Sequence, residues 1–157
     1  MAVQSSVPRS ERGTPVNVAF LLTPKSQVVW VSSTSTLGQA LERMRPNRYA
    51  AVPILDDEGG YVGTLTEGDA LWHLLEGGAQ PRTSAARTPL AAVGRRNDYQ
   101  AVHIDANLDE LLARAVDQNF VPVVDDREVF TGIVRRKSII QASAQSVDML
   151  GARWRAG

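Results

Sequence analysis

Cysteine is absent from the 157 residues, so disulfides, thiolate metal centres and cysteine nucleophiles are all excluded. The same absence suits a reducing compartment. Histidine occurs only at His73 and His103, which leaves little with which to build a zinc site. An excess of either charge is lacking as well. The 17 basic and 17 acidic residues cancel, so there is no overall basic field of the kind that drives non-specific nucleic-acid binding. Any anion site must therefore be local. No apolar run approaches the roughly 18 residues that a membrane helix needs, and Met1 to Thr14 lacks the apolar block of a signal peptide. These absences predict a soluble cytoplasmic protein with neither membrane nor nucleic acid among its partners.

What is present is a statement made twice. Tyr49-Ala50-Ala51-Val52-Pro53-Ile54-Leu55-Asp56-Asp57 is followed by Tyr61-Val62-Gly63-Thr64-Leu65 and a helix-like stretch from Thr66 to Leu75. Phe120-Val121-Pro122-Val123-Val124-Asp125-Asp126 is followed by Phe130-Thr131-Gly132-Ile133-Val134 and by Arg135 to Ile140. Pro53 to Pro122 and Gly63 to Gly132 are both offsets of 69, so the two runs superpose without a gap. Each unit alone is too small to bury a good core, whereas two packed together can. A cleft related by pseudo-twofold symmetry is the natural by-product.

The rest of the chain fits around this duplication. Residues 1–15 are polar and read as a loose arm. Val16 to Leu22 suggest a short helix or hook that ends near Pro24. Val28 to Val31 read as a strand, with Ala101 to Ile104 as its counterpart. Thr36 with Gln39, and Asn107 with Glu110, each have the spacing of a capping box at a helix start. The apolar spacing Leu37, Ala40, Leu41, Met44 and Leu108, Leu111, Leu112, Ala115 supports both helices. The acidic stretches Asp56–Gly60 and Asp125–Glu128 read as hairpin turns. The predicted organisation is a first repeat over 16–77, a linker over 78–88, a second repeat over 89–144 and a tail over 145–157. The tail is expected to prolong the last helix as far as Leu150, leaving Trp154 to pack on the body or on a second subunit.

These features resemble a tandem pair of CBS (cystathionine β-synthase) domains, the β-α-β-β-α regulatory module. The resemblance rests on the aliphatic-Pro-aliphatic strand ending in Asp-Asp, the aromatic-x-Gly strand after it and the polar helix opening. It covers about Val16 to Ala144 and implies an α/β (α+β) fold of two repeats with pseudo-twofold symmetry. It further implies sheets that pack together and pairs that commonly associate as flat dimers. In the family an adenine nucleotide lies between the strand starts of one copy and the last-helix opening of the other.

The two half-sites differ chemically. In copy one, Thr66 and Asp69 resemble the family's hydroxyl and carboxylate motif, which would address phosphate and ribose; Phe120 is assigned to the same second cleft. Thr66 reads equally as a helix cap with acidic residues favourably placed behind it. In copy two the matching positions are Arg135 and Ser138, and the opening carries Arg135, Arg136 and Lys137. Cations in the first turn oppose the helix dipole and call for an anion, with phosphate the obvious one; a solvated basic patch is the plainer alternative.

With Lys25, Tyr49 and Ala50 on the opposite wall, this main cleft resembles that of stand-alone CBS pairs that bind cyclic di-AMP. There a Lys precedes the first strand, a Tyr opens the second and an Arg-Arg pair follows the last. This chain departs from that pattern in having Arg135 where a hydroxyl is expected and Arg136-Lys137 as the pair. Lys does not reproduce the bidentate fork of Arg.

His73 and His103 read as packed or exposed side chains, and there is neither a Ser-His-acid arrangement nor a Walker-type loop. The Asp pairs read as turn formers, although they could hold a divalent ion. The expected function is that of a non-enzymatic sensor, a homodimer without metal or cofactor, that binds cyclic di-AMP, AMP, ADP or ATP and controls a partner protein. A ligand-independent assembly module is the alternative from another class.

Overall fold

A computed structural model describes residues 16–77 and 80–155; the expected N-terminal arm lies outside the described residues. The elements run α1 (Val18–Leu21), β1 (Leu22–Pro24), β2 (Val31–Ser32), α2 (Leu37–Met44), β3 (Ala51–Leu55), β4 (Tyr61–Thr66) and α3 (Glu67–Glu76). They continue with α4 (Pro81–Arg87), β5 (Val102–His103), α5 (Leu108–Ala115), β6 (Phe120–Val124), β7 (Phe130–Arg135) and α6 (Arg136–Arg155). Both repeats thus have the order strand, helix, strand, strand, helix, the α/β organisation that the sequence resemblance implies.

The two copies share their register. Val52 pairs with Leu65 in the first and Val121 with Val134 in the second, and a bulge follows Ile54 in one and Val123 in the other. In each, the strand after the first loop runs parallel to the middle strand, and the hairpin is antiparallel. Asp56 Oδ1 accepts from the amides of Glu58 and Gly60, and Asp125 Oδ1 from those of Arg127 and Val129. The first member of each Asp pair is therefore a turn former. Both capping boxes form, with Thr36 accepting from the Gln39 amide and Asn107 from that of Glu110.

Each repeat has its own core. Val31, Leu37, Val52 and Leu65 belong to one, and Val102, Leu111, Val121 and Val134 to the other. A third cluster of Leu55, Tyr99, Phe120, Phe130 and Ile133 forms the seam between them. At the seam, Phe130 donates its amide to Gly59 O at 2.9 Å. The hook expected from Val16 onward crosses this seam. Val18 is buried in the second repeat's core, and β1 pairs antiparallel with β7, giving the sheet order β1-β7-β6-β5 beside β2-β3-β4. Gly132 permits the crossing, because a Cβ there would run into the carbonyl of Thr23.

At three places the structure adds to or differs from the sequence reading. The strand expected over Val28–Val31 shrinks to Val31 and Ser32; Val28 keeps extended dihedrals but turns into a cleft instead of joining a ladder. The linker contains a helix, α4, with Pro81 in its first turn, where the missing N–H costs nothing. It docks on α2 with Ala85 buried, and a Cβ at Gly38 would sit 3.2 Å from Ala86 Cα. Finally, α6 runs beyond Leu150 to Arg155, and Trp154 is 89% exposed, so it does not pack back on the chain's own body.

Candidate functional site

The start of β3 and the junction between β7 and α6 face each other across a cleft of about 300 Å³. Its apolar walls are Val28, Val29, Ala51, Pro53, Phe120 and Ile133, and its polar rim is Gln27, Tyr49, Asn119, Arg135, Arg136 and Lys137. Residues of both repeats contribute, as pseudo-twofold packing requires. The volume is at the lower end of that of small-molecule sites, which pair apolar walls with a few convergent polar groups.

Of the residues assigned to this cleft from the sequence, Tyr49, Arg135, Arg136 and Lys137 line it. Arg136 is held in place: its Nε donates to the carbonyl of Gln118 at 2.9 Å and its amide to that of Asn119 at 3.1 Å. The side chain enters the cleft already oriented. The first turn of α6 contains no acidic residue, so the cations there stand uncompensated on the positive end of a 20-residue helix.

Lys25 and Ala50 are not among the lining residues. The Lys25 ammonium lies 5.3 Å from the centre of the Trp30 ring, which Arg43 approaches to 5.9 Å. Ala50 contributes its carbonyl to the opening of α3, accepting from Glu67 N at 2.9 Å. Gln27, Val28, Val29, Ala51, Pro53, Asn119 and Ile133 also line the main cleft, beyond the residues that the sequence assigns to it. Asn119 is legible as the 69-offset partner of Ala50; Val28 and Val29 are hidden by their strand-like composition, and Gln27 sits in the short helical turn before them.

The second cleft is different. Thr66 caps α3 by accepting from Asp69 N at 3.1 Å, while Asp69 Oδ2 accepts from Thr66 N at 3.3 Å. The other carboxylate oxygen of Asp69 accepts from the amide of Arg96 at 3.1 Å, and Asp69 is only 7% exposed. Gly63 is covered by the Arg95 and Asp98 side chains, which pair with each other at 3.2 Å; a Cβ on Gly63 would lie 2.8 Å from Arg95 Cζ. Phe120, assigned to this cleft from the sequence, is the partition. One side of it lines the main cleft, and its ring packs edge-on against Tyr99 at 5.2 Å. The hollow that remains on this side, about 250 Å³, is lined by Arg96 to Gln100 and by α5 with Gln118, and contains neither Thr66 nor Asp69.

The tyrosine at the seam is closely held. Tyr61 donates to Tyr99 O at 2.6 Å and lies 2.8 Å from Thr64 Oγ1, and its burial pushes the phenol well above its ordinary range. At the far end of β5, His103 Nδ1 lies 3.2 Å from Asp105 N and His103 Nε2 lies 2.7 Å from Asp126 Oδ1. Among the described residues, His103, Asp105 and Asp126 form the one group that could together ligate a metal ion. Among them, too, no helix is long and apolar enough to cross a membrane.

Comparison with solved structures gives the same architecture. CbpB in complex with c-di-AMP is 24% identical with a TM-score of 0.70, over 87% of this chain and 90% of that one. A CBS domain protein from Streptococcus pneumoniae TIGR4 is 28% identical with a TM-score of 0.71, over 85% and 88%. CBSX2 in complex with AMP is 19% identical with a TM-score of 0.63, over 82% and 97%. A search of curated protein sequences finds no match. The family model described as the CBS domain matches twice, at residues 20–76 and 92–145, and the chain therefore belongs to the CBS-domain family as a tandem pair.

Proposed function

We propose that this chain is a non-enzymatic regulatory sensor that binds an adenine nucleotide in the main cleft, with cyclic di-AMP the first choice and AMP, ADP or ATP next. The observation that carries the reading is the meeting of two surfaces: an apolar slot between Val28, Ala51 and Ile133, and the cationic first turn of α6. A purine fits the first and a phosphate the second. Two structural relatives hold such ligands, c-di-AMP in CbpB and AMP in CBSX2, which supports the ligand class.

Because both repeats line the cleft, a bound nucleotide bridges them and favours whichever arrangement of the pair it contacts better. Regulation of a partner protein then follows from that difference in affinity. The chain acts as a homodimer in this reading. Leu71 on α3 and Ile140 on α6, equivalent by the 69-residue offset, are both more than half exposed, as is Trp72. Apolar faces of this kind are typical of interfaces.

Isothermal titration with cyclic di-AMP, AMP and ATP at physiological salt tests the proposal. Saturable binding of one of them that is weakened in Arg136→Ala is the expected result. Failure of all three to bind would overturn it and favour the ligand-independent assembly module.

A further inference from the structure

The pseudo-symmetry places Tyr99 where the main cleft has Val28: each is three residues ahead of the first paired residue of its strand, Val102 and Val31. Val28 leaves the main cleft open, whereas Tyr99 is only 4% exposed and fills its side of the seam. Its hydroxyl accepts from the amide of Asn119 at 3.2 Å, and its ring supports Phe120 edge-on. Both Asn119 and Phe120 are walls of the main cleft. The same peptide segment then passes the constraint on, since Asn119 O receives the Arg136 amide and Gln118 O receives Arg136 Nε.

Gln118 is itself clamped. It is 6% exposed, its Oε1 accepts from Gln100 N at 2.8 Å, and its Nε2 donates to Gln100 O at 3.1 Å. On this side of the molecule, then, polar groups that would face a nucleotide face the chain itself. Thr64, the equivalent of the cleft-lining Ile133, is fully buried against the Tyr61 hydroxyl.

We infer that the second nucleotide position, at Thr66 and Asp69, is closed from within, the remaining hollow of about 250 Å³ reaching neither residue, and that Tyr99, which fills its side of the seam, is a positioning residue for the main cleft, acting on the nucleotide site through Asn119, Phe120 and Arg136. The chain consequently takes one nucleotide, and the two pseudo-symmetric halves have divided the labour: one binds and the other braces. This inference rests on the proposed nucleotide site for its ligand and on the Tyr99 contacts for its mechanism, so its test has two independent readouts.

The variant is Tyr99→Phe, which keeps the ring and removes only the hydroxyl. Amide hydrogen exchange of the ligand-free protein is measured first. The variant is expected to lose protection at Asn119 and Arg136 relative to the wild type; unchanged protection at both overturns the inference whatever the ligand does. Titration with cyclic di-AMP and AMP is the second readout. One nucleotide per wild-type chain, and an affinity weakened by about three- to tenfold in Tyr99→Phe, is the expectation for one lost hydrogen bond behind the site. Two nucleotides per chain, or an unaltered affinity beside a lowered melting temperature, would make Tyr99 merely structural and sink the inference. No binding by the wild type together with altered exchange would overturn the nucleotide site and leave only the bracing of Asn119.

Discussion

Tyr61 and Phe130, the same position in the two repeats, stack on each other with ring centroids 6.4 Å apart and planes inclined by 24°. The pseudo-twofold relation thus brings a residue into contact with its own counterpart, and the contact ties the first hairpin to the second.

Phe130 is almost fully buried in that seam. Phe130→Ala is expected to lower stability by about 3–5 kcal/mol, the usual cost of removing a buried ring. Tyr61→Phe keeps the stack but removes the hydroxyl from Tyr99 O and leaves the buried Thr64 hydroxyl without it, at a cost of about 1–2 kcal/mol. Urea unfolding midpoints of the two variants give the ordering. A Tyr61→Phe loss equal to that of Phe130→Ala would mean that the hydroxyl, and not the stack, holds the seam.

Arg136 has two tasks that only a guanidinium can perform together: Nε anchors on Gln118 O while the other nitrogens remain available to the cleft. Arg136→Ala is expected to weaken nucleotide binding by about tenfold or more, the worth of a charge-assisted contact. Arg136→Lys retains the charge but not the fork, so it should recover only part of that loss. Full recovery by Lys in a titration would show that net charge alone attracts the ligand.

Asp125 predicts a pH dependence. The amides of Val129 and Arg127 hold its carboxyl below the ordinary value of 3.8. A group depressed in the folded state contributes stability above its unfolded pKa and loses it as pH falls through the folded one. The wild type should therefore exceed Asp125→Asn in stability at pH 7, and the gap should close in the acid range below about pH 4. Unfolding midpoints taken at a series of pH values test this. A gap that stays constant with pH would assign the loss to geometry and not to charge.

Much of this architecture is legible in the residues because the 69-residue offset aligns Pro53 with Pro122 and Gly63 with Gly132, and with them both hairpins. The two capping boxes mark helix starts by local chemistry, and local chemistry survives folding. What escapes a linear reading is whatever depends on the other half of the molecule. The strand β1 belongs to the second sheet although it lies in the first repeat, and no local signal says so. Pro81 to Arg87 carries little apolar periodicity and becomes helical by docking on α2. In the site, Arg135 to Lys137 announce themselves by charge against a helix dipole, whereas the Lys25 ammonium goes to the face of the Trp30 ring, a contact that no local pattern marks. Asp69 carries the resemblance to a ribose-binding carboxylate, but its oxygens are taken by the amides of Thr66 and Arg96. That second partner is visible only in three dimensions.

The exposed faces of α3 and α6 give the last prediction. Leu71, Trp72 and Leu75 project from one helix and Ile140 and Val147 from the other, all at least half exposed in a single chain. Side chains of that size left in water forfeit about 1.5–3 kcal/mol each relative to burial, and covering them with a second copy recovers part of it. Trp72→Glu combined with Ile140→Glu places charge on both faces without touching the main cleft, whose lining contains neither residue. Light scattering during gel filtration should report a dimer for the wild type and a monomer for the double variant, with the helical circular dichroism preserved. A wild type that elutes as a monomer at micromolar concentration would remove the dimer from the proposal. In that case the two apolar faces would be the first place to look for a surface that binds another protein.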